Sequence, residues 1–499
     1  MHHVLHEEHL VVTAAQMRAA EQRAMLEGIS GWEMMQRAGQ LAAREIIRRF
    51  RPCRTLVLAG SGNNGGDGFV IAEALRTEGW PVELACMVAP SALSGDAKTA
   101  AQQYHGEIVP FSADLIRPEL LLVDALFGTG LQRPLEGDAR HLISTADALE
   151  CAVVAVDIPS GIHSDSGKVL GAAAHARLTI TFAARKPGHL LYPGREYAGE
   201  VVVADIGISP QMEALLMEQR GAQMFIHENT PALWQFSLRW PDRYSHKYAR
   251  GAALVAGGSI ACTGAARLAA MAALRIGAGA VTVACDEEAL PVYAAHLTSV
   301  MTHLCRDKEA FAAAIRQERQ RALLIGPGHG RGEKTAEYVL AALATGKPCV
   351  LDADALTSFG ENKELLFAAC HAQVVMTPHE GEFETLFGEW EGDKISRTLE
   401  AARSSKAVVL LKGADTVIAS PDGRIAVNSA APPDLATAGS GDVLAGIITG
   451  LLATGMPGWE AAAAGAWIHG VAGERLGVGL IAEDLPAALP DILRYLKEL

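Results

Sequence analysis

Apolar and polar positions along the chain switch between two periods. Helical spacing opens it, around residues 14–28 and 31–50. Short apolar runs follow at 55–59, 82–88, 120–124 and 153–157, with helical stretches between them, and then at 178–182 and 200–205. Strands separated by helices predict a parallel sheet covered by helices on both faces. The alternation stops near Gly207, and residues 209–246 are mixed and carry Pro231 and Pro241. A second series occupies 252–256, 281–284, 322–325, 349–352, 374–377 and 408–411. A hairpin follows (417–420 and 425–428, turn PDGR), and helices run to the end. The expectation is an α/β protein of two domains, 10–218 and 225–499, parting near residue 220: an N-terminal Rossmann-like three-layer α/β/α domain and a C-terminal three-layer α/β/α domain. No short repeat is visible, which argues against a solenoid.

The length of 499 residues suits about two to four domains, and 49% apolar residues supply their cores. Fifty glycines point to close backbone approaches. A net charge of −14 argues against general nucleic-acid binding, which needs basic stripes. It leaves room for a small anion held by backbone amides. The eight cysteines form no C-x-x-C pair, so reduced, buried thiols are expected rather than a zinc site or disulfides. The start, MHHVLHEEHLVV, lacks a signal peptide's basic and apolar regions; His2, His3 and His6 read as a frayed terminus. The longest uncharged stretch, 443–459, is short for a membrane span and reads as a buried helix. A soluble cytoplasmic protein without nucleic-acid or membrane partners is expected. Oligomeric state, a homo-oligomer included, stays open.

Residues 60–68 read GSGNNGGDG, after the strand TLVLA and before a helical stretch. Glycines let backbone approach a ligand, and a helix start offers free amides to phosphate. The G-x-G-x-x-G match (Gly60, Gly62, Gly65) is weak for a dehydrogenase, because the next strand ends in Ala89–Pro90 without an acid. Asp124 ends ELLLV and precedes FGTGLQRP; Asp157 ends AVVAV and precedes IPSG, with Ser160. All three loops should reach one crevice at the strands' carboxyl ends. These motifs, over about residues 10–215, resemble the NAD(P)H-hydrate epimerase family, the N-terminal half of the YjeF-type proteins. The resemblance implies that Asn63, Asn64, Gly65, Gly66 and Asp67, with Gly128, Thr129, Gly130, Leu131, Gln132, Arg133, Pro134 and Asp157, bind hydrated nicotinamide nucleotide. It also implies that Asn64, Asp124 and Ser160 ligate potassium. The substrate's C6 hydroxyl sits beside the ring nitrogen, whose lone pair can expel hydroxide or assist ring opening; readdition inverts C6. Asp157 is the candidate acid/base, and Lys186, in ARKPG, assists it or binds phosphate.

Near the C-terminus ATAGSGDVLAG places Gly439, Ser440 and Gly441 before Asp442 at a helix start. Free amides there make an anion hole for a transferring phosphoryl group, and Asp442 stands ready to take a proton from an attacking hydroxyl. KGADT (412–416), GPGHG (326–330), TPHEGEFETL (377–386) and GGSIACTGAARLAA (257–270) each follow a strand. There is no Walker A motif. GSGD resembles the ribokinase-like superfamily, and the motifs together, over about residues 225–499, are similar to the ADP/ATP-dependent NAD(P)H-hydrate dehydratase family. That similarity implies Ala265, Gly328, His379 and Asp442 on the hydrate, and Lys412, Gly413, Ala414, Asp415, Thr416 and Gly441 on the adenine nucleotide. His329, where leucine is common in the family, departs from the pattern and leaves the backbone role intact. Magnesium is expected to be held largely by phosphates and water.

The two resemblances imply one function. The first domain interconverts the R and S hydrates of NADH and NADPH. The second, accepting S alone, spends ADP or ATP to restore the dinucleotide, releasing AMP or ADP and phosphate. Two alternatives compete: a ribokinase-like small-molecule kinase fused to a nucleotide-binding domain, which leaves a stable phosphorylated product, and a nucleotide sensor, which binds without turnover.

Overall fold

The uninterrupted apolar runs are strands buried on both faces, as parallel sheets between helical layers require. A computed structural model of the chain describes residues 9–218 and 224–499; His2, His3, His6 and residue 220 lie outside the described residues. The chain forms two units, the second beginning at Met224.

In the first unit a two-residue strand, β1 (Leu10–Val11), bridges to Arg185. The sheet comprises β2 (Thr55–Ala59), β3 (Val82–Cys86), β4 (Glu107–Val109), β5 (Leu121–Ala125), β6 (Ala152–Val156), β7 (Ala176–Phe182) and β8 (Glu200–Ala204). The order is β4-β3-β2-β5-β6-β7-β8, all parallel. Strand order reverses between β2 and β5, so the loops that follow these strands part and leave a crevice. Leu56, Leu122 and Val153 pack one face against Leu142 and Ile143 of the helix Gly137–Ala148.

The second unit contains β9 (Phe225–Glu228), β10 (Ala252–Ala256), β11 (Ala280–Cys285), β12 (Met301–Leu304), β13 (Gln320–Ile325), β14 (Cys349–Leu351), β15 (Val374–Met376), β16 (Val408–Leu411), β17 (Thr416–Ala419) and β18 (Arg424–Asn428). They run β9-β18-β17-β16-β15-β14-β13-β10-β11-β12. The series from β10 to β16 is parallel; β17 is antiparallel to both neighbours. Here the order reverses between β10 and β13, where the loops beginning at Gly257 and Gly326 meet.

The helix Ser440–Ala453 lies directly on the helix Thr263–Ile276. A methyl group on Gly446 would stand 2.2 Å from the Ala269 carbonyl oxygen, a backbone atom that no rotamer change moves. Gly446→Ala is therefore expected to destabilise the second unit by about 1–3 kcal/mol through overpacking, measured by chemical denaturation.

Three sequence expectations change. The uncharged stretch 443–459 is not one helix: Ser440–Ala453 ends before Gly455, whose φ is 94°, and Pro457 caps a new helix, Gly458–Leu476. The mixed segment 209–246 holds a helix (Ser209–Glu218), strand β9 and the buried Trp234. The Trp234 indole donates to Asn229 Oδ1 at 3.1 Å, and Asn229 in turn donates to the Ala463 carbonyl at 2.7 Å. Of the cysteines, all free, Cys262 is exposed and Cys53 half-buried; the others are buried. Among the described residues, no helix is long and apolar enough to cross a membrane.

Candidate active sites

The GSGNNGGDG loop leaves β2 and winds straight into the helix Asn63–Thr77, whose Gly62 cap offers no side chain. Gly60 and Gly65 are sterically required: a methyl group would stand 1.9 Å from the Leu126 carbonyl oxygen on the first and 1.9 Å from the Gly60 carbonyl oxygen on the second. The loop floors a cavity of about 480 Å³. Asn63, Asn64, Asp67, Gly128, Thr129, Gly130, Leu131, Asp157 and Lys186 line it. Gly65 and Gly66 are buried behind it, whereas Gln132, Arg133 and Pro134 are exposed and do not line it.

Asp157 has a φ of 67°, a left-handed backbone that a non-glycine residue adopts at a cost. The turn presents its carboxylate to Lys186, which is 1% exposed. Lys186 Nζ donates to Asp157 Oδ1 at 2.6 Å, to Thr181 Oγ1 at 2.7 Å and to the Phe182 carbonyl at 3.2 Å. The Thr129 amide donates to Asp157 Oδ2 at 3.2 Å. Burial pushes the Asp157 pKa up, but the Lys186 ammonium and its hydrogen bond outweigh that and hold it below the ordinary value. Burial, then Lys186, pushes His189 down to about 3. His189 is thus neutral: Nδ1 accepts from the Lys186 amide (3.0 Å), so Nε2 donates to the Asp157 carbonyl (2.9 Å). Burial and the Asp157 charge raise the carboxyls of both Asp67 and Glu21.

Neither Asp124 nor Ser160 lines the cavity: Ser160 Oγ donates to Asp124 Oδ1 at 2.6 Å, and the Ser160 amide to Asp124 Oδ2 at 2.8 Å. The Phe127 amide donates to Ser160 Oγ at 3.0 Å. Asn64 is buried, yet neither its Oδ1 nor its Nδ2 has a hydrogen-bond partner. Seen from the position of a Cβ on Gly128, Asn64 Oδ1 is 3.3 Å away and Asp157 Oδ2 2.9 Å away. Phe127 and Gly128 connect the orphaned Asn64 amide oxygen to the Ser160 hydroxyl and the Asp124 carboxylate, and these buried hard oxygens are of the kind that fits a monovalent cation.

In the second unit Asp442 is the third residue of the helix Ser440–Ala453. Its cap, Gly439 (φ 88°), makes no side-chain hydrogen bond; the Ser440 amide donates to the Thr437 carbonyl at 3.3 Å, and the amides of Gly441 and Asp442 stay free. A cavity of about 550 Å³ opens beside this turn. His379, Lys412, Gly413, Ala414, Thr416, Ser440 and Gly441 line it. Asp442, half-buried, follows Gly441 but does not itself line the cavity. Asp415 instead pairs with Lys394 at 2.6 Å. Ala265 and Gly328 adjoin each other: a Cβ on Gly328 would lie 3.4 Å from that of Ala265. His379 caps the helix Glu380–Phe387 in a capping box with Glu382, and its ring is 60% exposed. His329 binds Thr335 Oγ1 at 2.8 Å and is pushed down to about 4 by burial, so it stands neutral. Burial foremost, then the Asp352 charge, raises Asp442 to about 6, against the pull of Lys412.

Sequence reasoning missed several residues. Glu21 faces the first cavity from one side of the helix Ala14–Leu26, between Met17 and Met25. Only the spacing of these three, one helical turn apart, could have signalled it. Asp352 follows β14 as Asp124 and Asp157 end theirs, so the strand-end argument applies to it equally. Asp352 and Glu382 both face Lys412, at 2.8 and 3.7 Å. His469 Nε2 and Ser440 Oγ meet at 3.0 Å, a contact with no sequence signal.

Residues 253–493 match the family model described as NAD(P)H-hydrate dehydratase, and residues 31–188 match that of the YjeF-related protein N-terminus. The bifunctional NAD(P)H-hydrate repair enzyme of Moorella thermoacetica is 36% identical over 523 residues, covering 98% of this chain and 97% of the relative. The same enzyme of Salinibacter ruber is 37% identical over 526 residues, covering 97% and 96%. The crystal structure of the ADP/ATP-dependent NAD(P)H-hydrate dehydratase from Bacillus subtilis, co-crystallised with ATP/Mg2+, is 29% identical. It covers 54% of this chain and 98% of that one, with a TM-score of 0.47.

Proposed function

The chain belongs to the family of bifunctional NAD(P)H-hydrate repair enzymes, and from this membership we propose how its residues divide the work. Its two activities are epimerisation of NAD(P)H hydrates and their ADP/ATP-dependent dehydration. Full-length membership sets aside the kinase and sensor alternatives.

In the first cavity the ring nitrogen of the hydrate expels the C6 hydroxyl as water, and water returns to the other face. Asp157, held ionised by Lys186, takes the proton of the incoming water. Asp67, raised well above the ordinary value by burial and by Asp157, supplies the proton for the departing hydroxide, and Glu21, raised in the same direction, lines the same cavity. Carboxyls pushed apart in this way mark base and acid. Asn64, Asp124 and Ser160 would hold potassium, which supplies positive charge near the substrate phosphates. Such a charge would also favour the ionised form of Asp124, which burial otherwise disfavours.

In the second cavity Asp442 takes the proton of the C6 hydroxyl as its oxygen attacks the terminal phosphorus of ADP or ATP. The bond from that phosphorus to the nucleotide breaks, and AMP or ADP leaves. The ring nitrogen then expels phosphate from C6, and loss of a C5 proton restores the dihydropyridine. Lys412 and the amides of Gly441 and Asp442 face the developing charge. No group of three or more His, Cys, Asp or Glu side chains among the described residues is placed to hold a metal. Magnesium would therefore travel on the nucleotide's phosphates.

The observation that carries the reading is Asp442 at an uncapped helix start, beside Lys412 and an open cavity. The test incubates the S hydrate with and without ADP or ATP and follows reduced-nicotinamide absorbance and phosphate. One phosphate per dinucleotide restored is expected; turnover without nucleotide would overturn the scheme. Run with mixed epimers, the same assay should show R-to-S conversion faster in potassium than in sodium for the parent chain. Asn64→Leu should erase that difference.

A further inference from the structure

Lys412 belongs to the loop KGADT and lines the nucleotide cavity with its neighbours, and its ammonium is held by two carboxylates. It donates to Asp352 Oδ1 at 2.8 Å and stands 3.7 Å from Glu382. On its other side it faces the catalytic turn: a Cβ on Gly441 would lie 3.4 Å from Lys412 Nζ. Asp352 is 2% exposed and is held from behind. The next residue, Ala353, has a φ of 47°, a conformation that costs energy in a residue with a Cβ. That turn sends neighbouring carboxylates apart: Asp352 to Lys412, and Asp354 to the amide of Gly330, at 2.8 Å, in the loop after β13. A strained turn, a buried carboxylate and a lysine bent toward the glycine turn form one connected device between β14 and the helix that carries Asp442.

Resting on the dehydratase reading above, we propose that Asp352 is a positioning residue: it holds the Lys412 ammonium at the phosphoryl-transfer turn, where the cation acts on the group in flight rather than on the bound nucleotide. Two consequences follow. Lys412 acts in the transition state, so its placement matters to kcat more than to the KM for ADP. On the transferring group Asp352 acts through Lys412, so in kcat the two are coupled.

The test measures S-hydrate dehydration by the full chain carrying Asp352→Asn, Lys412→Met and both together. Asp352→Asn is expected to lower kcat by about 10²-fold, the scale of a lost charge-stabilising donor, with the KM for ADP within about threefold. The double variant should be no slower than Lys412→Met alone, as linked residues are non-additive. It also removes both charges of a buried pair, so it tests the proposal even where the single variant fails to fold. The pH profile supplies a readout that a structural role would not move. Asp442 is faced by Asp352, Lys412, Glu382 and Asp354. Loss of the Asp352 charge should shift the acid limb of kcat/KM downward from about 6, and Asp352→Glu should keep the limb in place. Unchanged kcat in Asp352→Asn, a rise in KM alone, or multiplicative losses in the double variant would overturn the proposal. Each of these results leaves Asp442 as the base, which the Asp442 variant tests separately.

Discussion

Asp442→Asn lowers nucleotide-dependent dehydration by about 10²- to 10⁴-fold, the span of a lost general base, and leaves R/S interconversion at the parent rate. The asparagine keeps the shape of the helix start but cannot accept the C6 hydroxyl proton. In the parent chain burial, reinforced by Asp352, places Asp442 at about 6. A raised carboxyl is protonated below that value, so kcat/KM for dehydration should fall about tenfold per pH unit below about 6 and level off above it. In the variant this limb should vanish along with the rate. A stopped assay of S hydrate, ADP and released phosphate across pH 5 to 8 reads both effects. A variant that retains the parent rate would remove Asp442 from the chemistry.

The mirror-image result is expected at Asp157. Asp157→Asn should abolish R-to-S conversion, followed by chromatographic separation of the epimers, while dehydration of supplied S hydrate proceeds. It should also weaken the first unit. Lys186 is almost fully buried, and its carboxylate partner is 2.6 Å away. An uncompensated buried ammonium costs about 3–5 kcal/mol, offset in part because asparagine tolerates the positive φ at this position better than most residues. Pairing the change with Lys186→Met should restore stability and not activity, which separates folding from chemistry. The pH sense is opposite to that at Asp442. The Asp157 pKa is lowered in the fold. Its contribution to stability is therefore present above the usual carboxylate range and is lost as pH falls through the lowered value.

Much of this was legible in the chain. The two sheets, the strands β2 and β10 to the residue, and the glycine loops at their carboxyl ends follow from apolar period and turn composition. A strand buried on both faces is a continuous apolar run, and a glycine loop marks where backbone must approach a ligand. The strands β4, β9 and β12 were not legible. Each is short; β4 (Glu107–Val109) is largely exposed and β12 (Met301–Leu304) holds no fully buried residue, so little in their sequences needs to be apolar.

Sequence alone determined which residue types stand at the strand ends and helix starts: Asp124, Asp157, Asp442 and the loops around them. Local spacing dictates these, because each lies within a few residues of the element that presents it. Only the tertiary structure decided their partners and protonation. Lys186 is 29 residues from Asp157 and Lys412 is 60 from Asp352, and no period in the chain relates them. Burial and opposing charge act through space, so the split between an ionised Asp157 and an Asp442 raised to about 6 appears only once distant segments share a low-dielectric cavity.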